Sequence, residues 1–171
     1  MKNRMTVSMK GRIMNSLGGF YEVATEEGTL SCRARGLFRK EGVTPLTGDE
    51  VLVRDMGDGT GYVEEILPRR NSLIRPPVAN LDVLALVVSV QSPPPNLQVL
   101  DKLIAVAEHE GIEPVIVVSK TDLESGEEIV SLYRRAGFSV FPVSVRAGTG
   151  IEALREYLAG RQSCLCGNTG A

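Results

Sequence analysis

Apolar and polar positions change rhythm near the middle of the chain. Up to about Pro68 the apolar residues come in short β-prone runs separated by turn chemistry. Val7–Met14 leads through Asn15-Ser-Leu-Gly-Gly19 into Phe20–Ala24, and Glu26-Glu-Gly28 turns into Thr29–Ala34. After an irregular stretch Glu50–Arg54 alternates, Asp58-Gly59 supplies a hairpin turn, and Gly61–Leu67 closes the series. Five short strands at this spacing predict a small closed barrel, and the OB-fold is the usual five-stranded solution. Glycines at 11, 18, 19 and 61 would ease sharp bends in such a sheet.

From about Leu81 strands alternate with helices. Val83–Val90 is continuously apolar, as in a strand covered on both faces. Ser92-Pro-Pro-Pro95 breaks the chain, and Asn96 is placed to cap a helix over 97–110 with Leu97, Leu100, Leu103, Ile104 and Ala107 on one face. Val115–Ser119 reads as a second buried strand. Ser125 and Glu128 have capping-box spacing, ahead of a helix turning Ile129, Leu132, Tyr133 and Ala136 inward. Ser139–Ser144 is a third strand; Thr149 and Glu152 repeat the box before Ile151, Leu154, Tyr157 and Leu158. Ser163–Cys166 is the fourth. Glycines 111, 137 and 160 stop the three helices. Four strands joined by helical crossovers predict a parallel, doubly wound sheet. Arg69–Asn80 carries two adjacent prolines and is expected as a stiff joint. The predicted organisation is a barrel over 1–68, a linker over 69–80 and an α/β domain over 81–171.

Composition adds bounds. An apolar content of 43% with 23% charged residues is that of a soluble globular protein, and no run approaches the roughly 18 apolar residues of a membrane span. The first nine residues lack the apolar core of a secretory signal. Cys32, Cys164 and Cys166 make no metal-ligand pattern; an odd, scattered set fits a reducing cytoplasm, with Cys164 and Cys166 expected as buried strand residues. The net charge of −2 divides into +2 over residues 1–75 and −4 over the remainder. Arg33, Arg35, Arg39 and Lys40 cluster around Phe38, with Phe20 and Tyr21 as further rings. Barrels of this kind bind RNA through charged grooves and stacked aromatics, so Arg33, Arg35, Phe38, Arg39 and Lys40 are the candidate RNA contacts. Arg33 and Arg35 also fit one solvated strand face. His109 falls at a helix C-terminus, where the helix dipole favours a surface imidazole.

The chemistry concentrates where the α/β strands end. Ser119-Lys-Thr-Asp122 follows the second strand at its carboxyl end, where open α/β sheets bind ligands. A carboxylate there offers two acceptor oxygens to the N1–H and N2–H₂ donors of guanine, a pairing adenine cannot make. Lys120 has an apolar stem able to lie along a base. Ser144-Val-Arg146 ends the next strand, 22 residues beyond Asp122. Gly167-Asn-Thr-Gly-Ala171 then follows the fourth strand and supplies the first five positions of a G-x-x-x-x-G-K-[ST] phosphate loop. Ordinary small GTPases place the phosphate loop first and the guanine turn late. Here the order is reversed, as in a circularly permuted GTPase domain.

With that order, the chain resembles the circularly permuted GTPases of small-subunit ribosome assembly, the ribosome small-subunit-dependent GTPase A family. The resembling residues run nearly throughout: Leu17-Gly-Gly-Phe-Tyr21, Cys32-Arg-Ala-Arg-Gly36, Phe38-Arg-Lys-Glu-Gly42, Thr44-Pro-Leu-Thr-Gly-Asp49, Glu64-Glu-Ile-Leu-Pro-Arg69, Ile74-Arg-Pro-Pro-Val-Ala-Asn80 and Gly111-Ile-Glu-Pro-Val115. The resemblance implies an OB domain contacting ribosomal RNA, a permuted GTPase domain using GTP with Mg²⁺, and a C-terminal Zn²⁺-binding domain. It implies a cytoplasmic, monomeric factor, with no membrane association, acting late in small-subunit maturation and stimulated by the subunit. By position, Ser119, Lys120, Thr121 and Asp122 take the guanine motif, Ser144 and Val145 the Ser-Ala loop, and Gly167, Asn168, Thr169, Gly170 and Ala171 open the phosphate loop. Ser119 stands where Asn or Thr is commoner, and Val145 where Ala is usual.

The rest of the phosphate loop, the switch regions, the Asp-x-x-Gly motif and the zinc ligands are not among these residues. Asp58-Gly-Thr-Gly61 matches Asp-x-x-Gly in letters only, since it lies between two barrel strands. The expectation is a fragment that does not hydrolyse GTP, because phosphoryl transfer depends on phosphate positioning and charge. The fourth strand should lie at the sheet edge. The alternative is a non-enzymatic RNA-binding barrel carrying a GTPase-like scaffold.

Overall fold

The computed structural model describes residues 8–36, 38, 42–167 and 170. They belong to two compact units, one ending at Asn80 and the other beginning at Leu81.

The first unit is built on five strands: β1 (Ser8–Leu17), β2 (Phe20–Thr25), β3 (Gly28–Ala34), β4 (Glu50–Asp55) and β5 (Thr60–Ile66). They close into a barrel in the order β1-β2-β3-β5-β4, with β4 returning to β1. Only β3 and β5 run parallel. Alternation decides which residues enter: Ile13, Val23, Cys32, Val51, Val53 and Val63 are fully buried, and Tyr21, Leu30 and Phe38 complete the core. Burial pushes the Cys32 thiol up to about 11, so it stays protonated as an apolar filler. Two glycines let strands approach: a Cβ on Gly11 would lie 2.5 Å from the Val23 side chain, and one on Gly61 would lie 2.7 Å from the Arg54 carbonyl. The Asp58-Gly59 turn joins β4 to β5, and Asp58 Oδ1 accepts from the Thr60 amide at 3.0 Å.

Residues 69–80, expected as a joint, are folded onto this unit. The Arg69 guanidinium forks onto Asp49, donating from Nε to Oδ1 at 2.7 Å and from Nη2 to Oδ2 at 2.8 Å. Asp49 is fully buried and also accepts from the Leu46 amide at 2.7 Å. A charge so buried persists only when paired and hydrogen-bonded, and this one is both. A two-stranded ribbon follows, β6 (Ser72–Leu73) against β7 (Val78–Ala79). Asn80 then closes the segment, its Nδ2 donating to the Gly48 carbonyl at 3.0 Å and its Oδ1 accepting from the Arg70 amide at 2.8 Å.

The second unit alternates β8 (Val83–Ser89), α1 (Leu97–His109), β9 (Glu113–Ser119), α2 (Glu127–Arg135), β10 (Ser139–Pro142), α3 (Ile151–Leu158) and β11 (Ser163–Gly167). All pairings are parallel, in the order β10-β9-β8-β11. The strand ends Ser89, Ser119, Pro142 and Gly167 therefore share one edge. Asn96 caps α1 as expected, its Oδ1 accepting from the Val99 amide at 3.1 Å. Leu100, Ile104 and Ala107 are buried along α1, while α3 packs Leu154 against Ala85, Val117 and Val143. Burying each leucine, isoleucine or valine side chain among these contributes about 1.5–3 kcal/mol.

Three expectations are corrected. Neither capping box forms. A Cβ on Gly126 would meet Val90 and Val118 at 2.7 and 3.0 Å, and the chain takes a left-handed turn there (φ +59°), so α2 starts behind it. Ser125 Oγ merely accepts from the Glu127 amide at 3.3 Å. Gly150 does the same before α3, with Thr149 bridged to Ser144 by two backbone hydrogen bonds of 3.0 and 3.1 Å. Ile129, Val130 and Tyr133 form the buried face of α2, while Leu132 and Ala136, the latter just past the helix end, are exposed. Finally, Cys164 and Cys166 are half-buried, not buried. Their strand is outermost, and Leu165 between them is 62% exposed. Its edge position agrees with the permuted order.

Candidate nucleotide site

The shared carboxyl edge gathers the predicted residues of the α/β unit. Ser119 closes β9 and is buried, its Oγ donating to the Val88 carbonyl at 3.4 Å, so this hydroxyl is spent on the sheet. The chain then turns sharply through Lys120, at φ +61°. A non-glycine residue in the left-handed region carries local strain and persists where its surroundings demand it. Here the ammonium donates to the carbonyls of Ser92 and Gly170, tying the turn to the β8–α1 loop and to the segment after β11. Ser89, buried at the end of β8, holds that loop by donating to the Pro93 carbonyl. The Thr121 amide donates to the Val143 carbonyl at 3.2 Å.

Asp122 follows, exposed at the edge, with Oδ1 accepting from Ser144 Oγ at 2.5 Å. The Ser144 hydroxyl holds the Asp122 carboxyl below the usual carboxylate range, with the Arg146 cation adding to it. Ser144 is fully buried and its Oγ also accepts from the Ala147 amide at 3.0 Å. The Ser144–Thr149 bridge fixes the loop between them, and Val145 projects from it, 83% exposed. An ionised, oriented carboxylate beside a pinned loop can accept two parallel N–H bonds from a purine edge.

The expected opening of a phosphate loop is partly described. Gly167 ends β11 beside Val87, where a Cβ would lie 2.5 Å from the Val87 carbonyl, and Gly170 has φ +81°. Asn168, Thr169 and Ala171 lie outside the described residues. Ser119–Asp122, Ser144 and Gly170 are thus brought together, with Lys120 as the link. The sequence did not single out Ser89, which holds the loop through Pro93, or Ser92, whose link to Lys120 depends on loop geometry that no spacing rule encodes.

The barrel candidates separate. Arg33 is exposed with its guanidinium 4.5 Å from the centroid of Phe20. Arg35 pairs with Glu64 at 3.3 Å. Phe38 is corrected: it is only 8% exposed and belongs to the barrel core, so its ring is not a stacking surface. Arg39 and Lys40 lie outside the described residues. Tyr21 is likewise buried, whereas Tyr62, unremarked in the sequence, is 44% exposed.

Among the described residues no group of three or more His, Cys, Asp or Glu side chains could hold a metal ion. No helix among them is long and apolar enough to cross a membrane. A surface depression of about 580 Å³ runs along α2 between Glu127 and Arg135, a charged helix face far in character from a ligand cleft.

Comparison with known proteins gives consistent results. A family model described as RsgA GTPase matches residues 66–171, and one described as RsgA N-terminal domain matches residues 10–63. The chain is 44% identical over 165 residues to the small ribosomal subunit biogenesis GTPase RsgA of Caldanaerobacter subterraneus subsp. tengcongensis, covering 95% of this chain and 56% of that one. It is 41% identical over 167 residues to the RsgA of Geobacillus thermodenitrificans, covering 94% and 57%. The crystal structure of YjeQ from Thermotoga maritima is similar at a TM-score of 0.81 and 32% identity, covering 96% of this chain and 62% of that chain. YloQ, described as a circularly permuted GTPase, gives 0.79 at 31% identity, covering 99% and 63%. The chain spans a little over half the length of the curated relatives it matches. With both family models matched in sequence order and the sheet order of a permuted domain, the chain belongs to the RsgA GTPase family of circularly permuted GTPases.

Proposed function

We propose that these residues form the RNA-contacting barrel and the guanine-selecting half of a cytoplasmic GTP-binding factor for late maturation of the small ribosomal subunit. The observation that carries this is the Asp122–Ser144 pair at the carboxyl edge, with β11 and the opening of a phosphate loop arriving after it in the chain. Asp122 selects guanine by accepting from N1–H and N2–H₂, Ser144 orients it, and the Lys120 stem lines one side of the base. Backbone N–H groups of the loop through Val145 are proposed to meet the guanine O6. The similar small ribosomal subunit biogenesis GTPases point to the partner, the small ribosomal subunit.

Hydrolysis asks for more. The lysine and hydroxyl that would hold the β- and γ-phosphates and Mg²⁺ are not among these 171 residues. The 171-residue polypeptide is therefore proposed to bind guanine nucleotides weakly and not to turn over GTP, even with small subunits added. Calorimetric titration with GDP and ADP tests the base site: weak binding of GDP alone is expected, and equal binding of ADP contradicts the reading. Steady GTP turnover by the pure polypeptide would overturn the second part.

A second reading, a barrel that binds RNA without nucleotide chemistry, is favoured by the exposed Phe20–Arg33 pair. It predicts RNA binding indifferent to changes at Asp122.

A further inference from the structure

The strand register sets five side chains in one row across the outside of the barrel. Leu17 of β1 lies beside Phe20 of β2, Phe20 beside Arg33 of β3, Arg33 beside Tyr62 of β5, and Tyr62 beside Arg54 of β4. Their chain neighbours Tyr21, Cys32, Gly61 and Val53 point inward and are buried, so the row faces solvent. Phe20 and Tyr62 are each 44% exposed, and Leu17 is 79% exposed. Rings thus alternate with guanidinium groups, and Arg33 already stacks on Phe20.

A groove of about 350 Å³ opens at the Tyr62 end, lined by Ala34, Arg35, Gly36, Arg54, Tyr62 and Glu64. Glu64 is unusual within it. Its Oε2 accepts from Ser8 Oγ at 2.7 Å, and Arg35 and Arg54 pair with Oε1, yet Oε1 is buried and accepts no hydrogen bond of good geometry. The Ser8 hydroxyl, then the Arg54 and Arg35 cations, hold this carboxyl below its ordinary range, keeping it an acceptor. Tyr62 gives the groove an aromatic wall, and the two arginines make it attractive to phosphate.

We propose that this row and groove form a binding site for unpaired RNA nucleotides, one base stacking on Tyr62 in the groove and a neighbour on the Phe20–Arg33 pair. The proposal rests on the RNA contact proposed above and deepens it by naming the strand class. Adjacent strands lie about 4.8 Å apart, so rings two strands apart stand roughly 10 Å from each other. Bases in a duplex step at about 3.4 Å and cannot reach both rings. Splayed, single-stranded bases can, and stacking tolerates any sequence because every base has a π-face.

The test uses the full chain and fluorescence anisotropy with a labelled single-stranded RNA decamer, against the same sequence annealed into a duplex. Single-stranded RNA should bind tighter. Tyr62→Ala and Phe20→Ala should each weaken it about tenfold, while Tyr62→Phe retains binding. Arg33→Ala should lower the salt slope by about 0.7. Tyr62→Leu keeps apolar bulk without the π-face; it guards against misfolding, should bind as poorly as Tyr62→Ala, and should melt like the unaltered chain. Binding indifferent to both ring removals, or a duplex preferred to the single strand, overturns the site while leaving the RNA contact standing. No binding to either RNA, or to purified small subunits, overturns both.

Discussion

The barrel and the parallel sheet manage their edges in opposite ways. In the barrel every strand has two partners, because β4 returns to β1, and no row of backbone donors faces solvent. In the sheet the outer strand β11 pairs, among the described residues, with β8 alone, and its Leu165 stays largely in water. Closure makes the barrel self-sufficient, and the clasp of Arg69 on Asp49 extends that unit to Asn80. The sheet buries β8 and β9 well but leaves β11, from which the proposed phosphate loop opens, at its edge. Binding on the barrel should therefore survive changes that the nucleotide edge does not.

The largest expected effect breaks the barrel side alone. Asp49→Ala removes the acceptor for Arg69 and for the Leu46 amide. Losing one partner of a buried pair costs about 3 kcal/mol or somewhat more. Urea unfolding followed at Tyr21 and Tyr62 by NMR should shift, while Tyr133 and Tyr157 should unfold as before; a common shift would mean the units are not independent. Next comes Gly126→Ala, which puts a Cβ in the left-handed region and 2.7 Å from Val90. The cost should be about 1–3 kcal/mol, read at Tyr133 and Tyr157 only. Smaller again is Leu165→Lys: within about 0.5 kcal/mol in stability, but with less aggregation by light scattering. Unchanged aggregation would argue that the β11 edge is not the exposed liability.

The two halves also differed in how far their sequence revealed them. Strand alternation and turn chemistry were enough for the five barrel strands and their closure, because period and turn chemistry are local. The same local rules misjudged Ser125, Thr149 and Phe38. Capping-box spacing ignores that Gly126 and Gly150 pack where no Cβ fits, and proximity to arginines ignores that Phe38 turns into the core. At the nucleotide edge Asp122 and Ser144 were legible as motif residues at strand ends. Their direct hydrogen bond, and the reach of Lys120 to Ser92, arise from tertiary placement across loops far apart in the chain.

The smallest effect concerns charge at that edge. The Asp122 carboxyl is depressed in the folded chain, so its contribution is present above the unfolded carboxylate value and is lost as pH falls through the folded one. Ser144→Ala removes the main cause and should move the titration back up. A pH series of Asp122 carboxyl shifts by NMR checks this, and an unmoved midpoint would sever the pair.

The central claim is that Asp122 chooses the base. Asp122→Asn exchanges one acceptor oxygen for an N–H₂ donor, which suits the C2 carbonyl of xanthine and not the C2 amine of guanine. Amide shifts of Ser119–Leu123 and Ser144–Ala147 should be followed by NMR while GMP or XMP is added to the 171-residue chain and to the variant. The account predicts guanine-selective shifts in the first and a reversal toward XMP in the second. Equal responses to both nucleotides in both proteins would contradict it.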